Sequence, residues 1–336
     1  MSMTVSNQPH DLNHEESWNI PSMLTKSPGL LALGDVLSEL ASAGRPLVVT
    51  TADVALSNGL WGFRERHPDR FLQLGVAEQN MVSVSAGLAT TGLEVYTATF
   101  ASFLGLLCCE QIRTDIAYTK LPVRLIGHHA GISMGFYGTS HHATEDLAIM
   151  RSIAGLKVVA PADSSQLKAA IRAYADDPSP IYFRIGRGRE PEIYPEDMSF
   201  VPDRAIVHGV GRDLTIIATG TMVHPSLAAA QTLSDTGLDV GVVDMHTVKP
   251  LDHSALDRVI ENSRLVMSVE EHNIVGGLGG AISEYFAERP NTPLLHRHGI
   301  KDEYSLIGPP LHLYRHYKLD VDGIAEVAMT ALSRTS

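Results

Sequence analysis

Short apolar runs that alternate with helical patterns constrain the fold of this chain more than any other feature. The runs at Leu47–Thr51 and Glu94–Thr97 indicate strands, and the spacing of apolar residues over Glu78–Ala89 predicts a helix between them. The same alternation continues through the C-terminal half of the chain. Because strands that alternate with helices form parallel sheets covered on both faces, the sequence predicts an α/β fold.

An acidic segment with three prolines, at residues 188–203, divides this pattern into two halves. Such a composition is typical of a linker between domains. We therefore expect two domains, at residues 29–187 and 204–336, each a mostly parallel sheet flanked by helices. Residues 1–28 are largely polar, and we expect a mobile N-terminal arm there.

The composition argues against several classes of protein. The chain has 336 residues and a net charge of −12, whereas general binding to nucleic acid or to an anionic membrane requires clustered Lys and Arg. We therefore expect neither partner. The two cysteines, Cys108 and Cys109, are adjacent, which favours buried thiols over a disulfide framework and leaves a redox pair as the alternative. With no secretory signal and no uncharged stretch that could span a bilayer, we expect a cytoplasmic protein.

The chemistry-bearing residues are grouped in one stretch, residues 71–151. Glu78 follows a short apolar run, Phe100 and Phe103 lie one helical turn apart, and a Gly-rich loop carries paired histidines at His128–His129 and His141–His142. Loops that follow parallel strands converge at one edge of the sheet, which is where ligands bind. This group therefore predicts a site for proton chemistry on a bound cofactor. A metal site built from the two histidine pairs is the alternative, but their separation is not a standard ligand spacing, so we expect no metal ligands in this chain.

Several motifs are similar to those of the transketolase family of thiamine diphosphate enzymes. GVAEQNM, TFASF and SHHATEDLAIMR resemble the family's pyrimidine-binding domain, and VDMHTVKPLD and SVEEHNIVGGLGG resemble its C-terminal domain. The resemblance begins near Leu30 and implies thiamine diphosphate as the cofactor. The family's diphosphate-binding domain, with its Gly-Asp-Gly motif and magnesium ion, has no counterpart, because Gly34–Asp35 is followed by Val36. The resemblance thus implies the C-terminal subunit of a split transketolase. An N-terminal subunit would supply the Mg²⁺ ligands, and we expect an α2β2 heterotetramer.

The resemblance also implies roles on the cofactor side of the site. Glu78 matches the glutamate that hydrogen-bonds N1′ of the aminopyrimidine, and an acid that only interacts with the helix dipole is the structural alternative. Phe100 and Phe103 match aromatics that pack around the pyrimidine ring, with ordinary core packing as their alternative. Asp53 matches an acid near the thiazolium ring.

On the substrate side, the resemblance assigns five residues. His141 matches a histidine near the substrate carbonyl, and His129 matches one that lines the channel toward the substrate phosphate. Ser57 matches a serine that contacts this phosphate. Arg184 matches an arginine that clamps it, with a salt bridge as the structural alternative. Tyr137 stands where the family has an acid that contacts a sugar hydroxyl, which suggests an unusual sugar phosphate.

The resemblance therefore implies transfer of a two-carbon ketol unit from a ketose phosphate to an aldose. The β subunit of a 2-oxo acid dehydrogenase complex, which has the same domain order, is the alternative enzyme. A scaffold that has lost its cofactor is the non-catalytic alternative. In the second half, the glycines at Gly276–Gly280 are open to two interpretations, an anion site at a helix N-terminus or a tight turn.

Overall fold

The computed structural model describes residues 28–334, and their strands form two sheets. The strands are β1 (Leu47–Thr51), β2 (Phe71–Gln73), β3 (Glu94–Phe100), β4 (Arg124–His128), β5 (Lys157–Val159), β6 (Ile181–Arg184), β7 (Ile206–Val207), β8 (Leu214–Ala218), β9 (Val240–Asp244), β10 (Thr247–Lys249), β11 (Leu265–Asn273) and β12 (Leu294–Ile300). The two sheets, flanked by helices, confirm the predicted α/β fold.

Helices cover these sheets. The α-helices span Ala32–Ser42, Trp61–Arg66, Glu78–Ala89, Cys109–Gln111, Asp146–Ser152, Ser164–Ala173, Val223–Ser234, His253–Asn262, Leu278–Ala287, Pro310–His316 and Val321–Leu332. Two π-helical segments, Phe103–Leu107 and Ile112–Ala117, flank the short Cys109–Gln111 helix. The 3₁₀ turns are Pro28–Leu31, Pro68–Arg70, Gly135–Tyr137 and Gly220–Met222.

The first sheet has the strand order β10-β5-β6-β4-β3-β1-β2. Its strands are parallel except for β10, which runs antiparallel to β5. The register aligns Leu47 of β1 with Glu94 of β3, and Phe100 of β3 with His128 of β4. This register brings the carboxyl ends of β3 and β4 level with each other, so the loops that follow them meet at one edge.

The second sheet has the order β12-β11-β8-β9-β7, with β7 antiparallel to β9. The two sheets share a hydrophobic core, because Val158 of the first packs in one cluster with Ile217, Val243 and Val266 of the second. Burial of apolar surface contributes about 25 cal/mol per Å², and in this common cluster it holds the two halves together.

The structure departs from the predicted elements in a few places. The run of Leu, Cys and Ile over Ala101–Tyr118 predicts one long helix, whereas the structure divides this stretch into π-helical segments, which are frequent at functional sites. Among the elements not predicted from the sequence are β10 and the helices Trp61–Arg66 and Pro310–His316. The arm predicted at residues 1–28 lies, apart from Pro28, outside the described residues. No helix within residues 28–334 combines the length and apolar character that crossing a bilayer requires.

Candidate active site

The carboxyl edge of the first sheet carries an aromatic cluster, formed by Phe100, Phe103, His129, Tyr137 and His141. The Phe100 ring lies 5.6 Å from the Phe103 ring and 4.9 Å from the His129 ring, measured between centroids. The His141 ring lies 5.1 Å from Phe103 and 5.0 Å from Tyr137. The structure thus brings together five of the residues that the sequence analysis placed in the site, in the edge-on and tilted geometries that aromatic pairs prefer.

Glu78 begins the Glu78–Ala89 helix and is only 7% exposed. Its carboxylate accepts no hydrogen bond from any group in residues 28–334, although most buried polar groups are paired. The carboxylate raises the pKa of the Cys108 thiol, although burial of the thiol is the larger cause of that rise. Cys108 directly follows the Phe103–Leu107 segment, and the Gln79 side chain donates to the Leu107 carbonyl, so the start of the Glu78 helix packs against this segment.

His128 and His129 form a buried pair at the end of β4. Their Nδ1 atoms are within hydrogen-bonding distance, and each residue is 2% exposed. Burial lowers the pKa of His128 to about 3. Burial, and then repulsion by His128 and Arg187, holds the pKa of His129 well below its ordinary value. Both rings are therefore neutral near pH 7.

Of the second histidine pair, His141 lies in the candidate site and His142 lies in its structural support. His141 is half-buried in the aromatic cluster, and burial lowers its pKa. The adjacent Ser140 hydroxyl lies 2.9 Å from its Nδ1. His142 is instead enclosed, with Nε2 donating to the Gly135 carbonyl and Nδ1 bonded to the Ser305 hydroxyl. His141 is thus the member of this pair that can reach a ligand.

Arg184 does not reach the site, and its predicted role as a phosphate clamp needs correction. Its side chain is 2% exposed and forms a salt bridge with Asp146, Nε to Oδ2, at 2.9 Å. Its Nη2 donates to the backbone carbonyls of Ala143 and Glu271. Because these donors are already bonded inside the protein, the geometry supports the salt-bridge alternative.

Arg187, three residues beyond Arg184, is the cation that the sequence analysis missed. Its positive charge contributes to the lowered pKa of both His128 and His129. Its Nη1 donates to the Ser133 carbonyl at 3.3 Å, and its Nε is buried with no partner among residues 28–334. Burial, and then repulsion by Arg189, lowers its pKa to about 10, so it keeps its charge at neutral pH. A signal was present in the sequence, since RIGRGRE places further arginines directly after the strand pattern.

Asp53 and Ser57 follow the end of β1, the strand that neighbours β3 in the first sheet. Asp53 is exposed, has a φ of +62°, and exchanges hydrogen bonds with the Gln73 side chain. Ser57 is half-buried, and the side-chain amide of the neighbouring Asn58 is fully buried without a partner among the described residues. No hydrogen bond or ion pair joins Asp53 or Ser57 to the cluster within residues 28–334.

In the second half, the helix N-terminus at Gly276–Gly280 is already occupied by a side chain of the chain itself. Within residues 28–334, no three His, Cys, Asp or Glu side chains form a group that could hold a metal ion. The Glu270 carboxylate accepts from the N–H groups of Leu278 and Gly279, so it fills the helix N-terminus that was an alternative anion site. Gly276 has a φ of +80°, which supports the tight-turn interpretation.

Two domains of the transketolase family match this chain. The transketolase pyrimidine-binding domain matches residues 30–191, and the transketolase C-terminal domain matches residues 203–324. A putative transketolase C-terminal section from Methanocaldococcus jannaschii is 39% identical over 304 residues, covering 90% of this chain and 95% of that protein. One of the subunits of the apulose-4-phosphate transketolase of Phocaeicola vulgatus is 35% identical over 296 residues, covering 88% of this chain and 94% of that protein.

A solved structure agrees with these relatives. A split-gene transketolase, described as an inactive β4 tetramer, is 35% identical, with a TM-score of 0.84 over 92% of this chain and 99% of that chain. The matches therefore extend over nearly the whole of each separate subunit. The chain belongs to the transketolase family, as the C-terminal subunit of its split, two-subunit form.

Proposed function

We propose that this chain is the C-terminal subunit of a thiamine diphosphate-dependent transketolase that moves a two-carbon ketol unit from a ketose phosphate to an aldose. The observation that carries the proposal is the Glu78 carboxylate, which belongs to a residue only 7% exposed and accepts no hydrogen bond from residues 28–334. A carboxylate enclosed to this extent is stabilised by a ligand that completes its hydrogen bonding. A ring nitrogen of an aminopyrimidine is such a ligand.

The residues around Glu78 fit a pyrimidine. Phe100 and Phe103 offer apolar faces on one side, and Glu78 offers a proton donor or acceptor at a ring nitrogen. When bound, the cofactor supplies the nucleophilic carbon of its thiazolium ring. Glu78 holds or moves the proton at N1′ of the pyrimidine, as a side chain within hydrogen-bond reach can do. The phenylalanines orient the ring and exclude water.

The substrate side is best formed by His141 and the arginines that follow β6. His141 is neutral and half-buried, so it can donate to or accept from a substrate carbonyl or hydroxyl oxygen. Arg187 has an unbonded Nε and keeps its positive charge, which suits the phosphate of a sugar phosphate. Tyr137, next to His141, offers a phenol in place of an acid. Asp53 and Ser57 stay candidates, near the thiazolium ring and the phosphate respectively.

A partner subunit completes this proposal. Large apolar side chains are exposed close to Glu78, with Val76 80%, Leu106 45% and Leu107 49% exposed. An apolar patch of this kind marks a protein interface. We infer that an N-terminal subunit covers it, binds the cofactor diphosphate, and supplies the Mg²⁺ ligands. The expected assembly is an α2β2 heterotetramer.

The test is to assay the chain with and without the N-terminal subunit, using thiamine diphosphate, Mg²⁺, and panels of ketose phosphates and 2-oxo acids. Ketol transfer that requires both subunits, and that is lost in Glu78→Gln, is the expected result. The exposed Glu110→Gln is the matched control and should keep full activity. Decarboxylation of a 2-oxo acid would instead identify the dehydrogenase β subunit, and an unaffected Glu78→Gln enzyme would contradict the role of Glu78.

A further inference from the structure

The adjacent histidines at the end of β4, His128 and His129, are hydrogen-bonded to each other through their rings. Nδ1 of His128 lies 2.5 Å from Nδ1 of His129. A hydrogen bond between two ring nitrogens contains one proton, so one Nδ1 donates and the other accepts. Because a neutral imidazole carries a single N–H, the two rings must hold opposite tautomers.

Both rings stay neutral in this environment. Burial is the main cause that depresses the pKa of each ring, and the positive charge of Arg187 adds to it. Arg189 and His141 act on His129 in the same direction. No carboxylate is among the groups that shift the two pKa values. The pair is therefore a neutral donor and a neutral acceptor, and its tautomers depend on what surrounds the outer nitrogens.

His128 also lines a small cavity of about 20 Å³, which has room for one water molecule. The hydroxyl of Ser164 in its wall already donates to Glu192. The carboxylates of Asp163 and Glu190 also line it, and both are acceptors. Because Nδ1 of His128 faces His129, Nε2 is the other polar atom of the ring that the cavity can accommodate, and acceptors in the lining favour N–H there. The Nδ1 of His128 is then the acceptor, and the proton between the rings belongs to His129.

We propose that His128 is a positioning residue for the ketol transfer proposed above, on which this inference rests. By accepting from Nδ1–H of His129, it fixes that ring and leaves His129 Nε2 as an unprotonated acceptor. No group in residues 28–334 bonds this Nε2, and the ring packs edge-on against Phe100. The His129 backbone has a φ of +59°, a conformation that non-glycine residues adopt mainly where the surrounding structure requires it.

This tautomer changes which part of the substrate His129 contacts. An unprotonated nitrogen accepts from a hydroxyl group and repels phosphate oxygens, which are themselves acceptors. His129 therefore contacts a hydroxyl-bearing carbon of the sugar. The phosphate is left to Arg187, and the phosphate-channel role that the family resemblance implied for His129 does not apply.

Two variants of His128 test the positioning role in the assembled two-subunit enzyme. Phenylalanine keeps the ring shape and removes the hydrogen bond, so His128→Phe should lower kcat/KM about tenfold while thiamine diphosphate affinity is unchanged. The amide of asparagine reaches the place of Nδ1, so His128→Asn should recover most of the activity. Wild-type activity in His128→Phe, or no recovery in His128→Asn, would overturn the proposal.

The tautomer itself is measured without turnover. In the ¹⁵N NMR spectrum of histidine-labelled wild-type protein, the signals that are lost in His129→Gln belong to His129. Their chemical shifts should be those of a protonated Nδ1 and an unprotonated Nε2. His128→Phe should give a mixture of tautomers at His129. A proton on Nε2 in the wild type would refute the assignment. Because this readout needs no substrate, an enzyme without ketol transfer would contradict the proposed function while the His129 tautomer is still measured.

Discussion

Replacement of Arg184 by methionine separates a structural arginine from one that binds substrate. The Arg184 side chain is 2% exposed and its ion-pair partner, Asp146, is fully buried. The guanidinium also holds two carbonyls, those of Ala143 at 3.0 Å and Glu271 at 2.9 Å. Arg184 thus ties the segment after His142 to β11 of the second sheet.

The expected loss of stability in Arg184→Met follows from the Asp146 carboxylate, which stays buried after the arginine is removed. Without Arg184, the buried Asp146 carboxylate keeps the Tyr182 hydroxyl, at 2.7 Å, as its hydrogen-bond donor but loses its counter-charge. Removing one partner of a buried ion pair costs about 3–5 kcal/mol. With an unfolding entropy of about 2.1 cal/mol/K per residue, a chain of 336 residues loses about 1.4 °C per kcal/mol, so the melting temperature should fall by about 4–7 °C. In Arg184→Met/Asp146→Leu no unpaired charge is buried, so part of this loss should be recovered.

The assay combines thermal unfolding of the chain with the KM for sugar phosphate in the two-subunit enzyme. Arg187→Met is the matched control, because Nε of Arg187 has no partner within residues 28–334. It should raise KM with a stability loss of only about 1 kcal/mol. An unchanged melting temperature together with a raised KM in Arg184→Met would refute this reasoning and restore the phosphate clamp.

Two further predictions concern the scaffold. A Cβ on Gly131, which has a φ of +65°, would lie 2.2 Å from Cδ of Glu271, so Gly131→Ala should destabilise the chain by about 2–4 kcal/mol. Gly155 has a similar φ, but a Cβ there would meet no atom within 4 Å, so Gly155→Ala should destabilise the chain by only about 1 kcal/mol. Equal losses of stability for the two variants in urea unfolding would contradict the clash at Gly131. Burial raises the pKa of Asp244 from 3.8 to about 7. Between about pH 4 and 7 the folded state then keeps a proton that the unfolded chain loses, so the free energy of unfolding should fall as pH rises from about 4 to 7. In Asp244→Asn the free energy of unfolding should depend less steeply on pH over this range. The same pH dependence in both proteins would show that the pKa of Asp244 is ordinary.

Local sequence patterns determined most of the secondary structure. The bounds predicted for β1 and for the helix Glu78–Ala89 are those observed. β1 is a short continuous apolar and β-branched run, and the helix repeats apolar residues at Met81, Val84 and Leu88, so the local pattern was sufficient for both. The convergence of Phe100 and His141 was also predictable, because loops after parallel strands meet at one edge.

Other features depend on contacts between residues far apart in the sequence. The strand β10 is three residues long and forms because β5 offers it an open edge. The local sequence around Arg184 is the same whether its side chain binds a phosphate or pairs with Asp146. Only the packing of the Asp146–Ser152 helix against β6 decides between these two roles. Sequence specified which residues border the sheet edge. The tertiary structure decided which of them stay open to a ligand, because a buried charge pairs with whatever counter-charge the fold brings within reach.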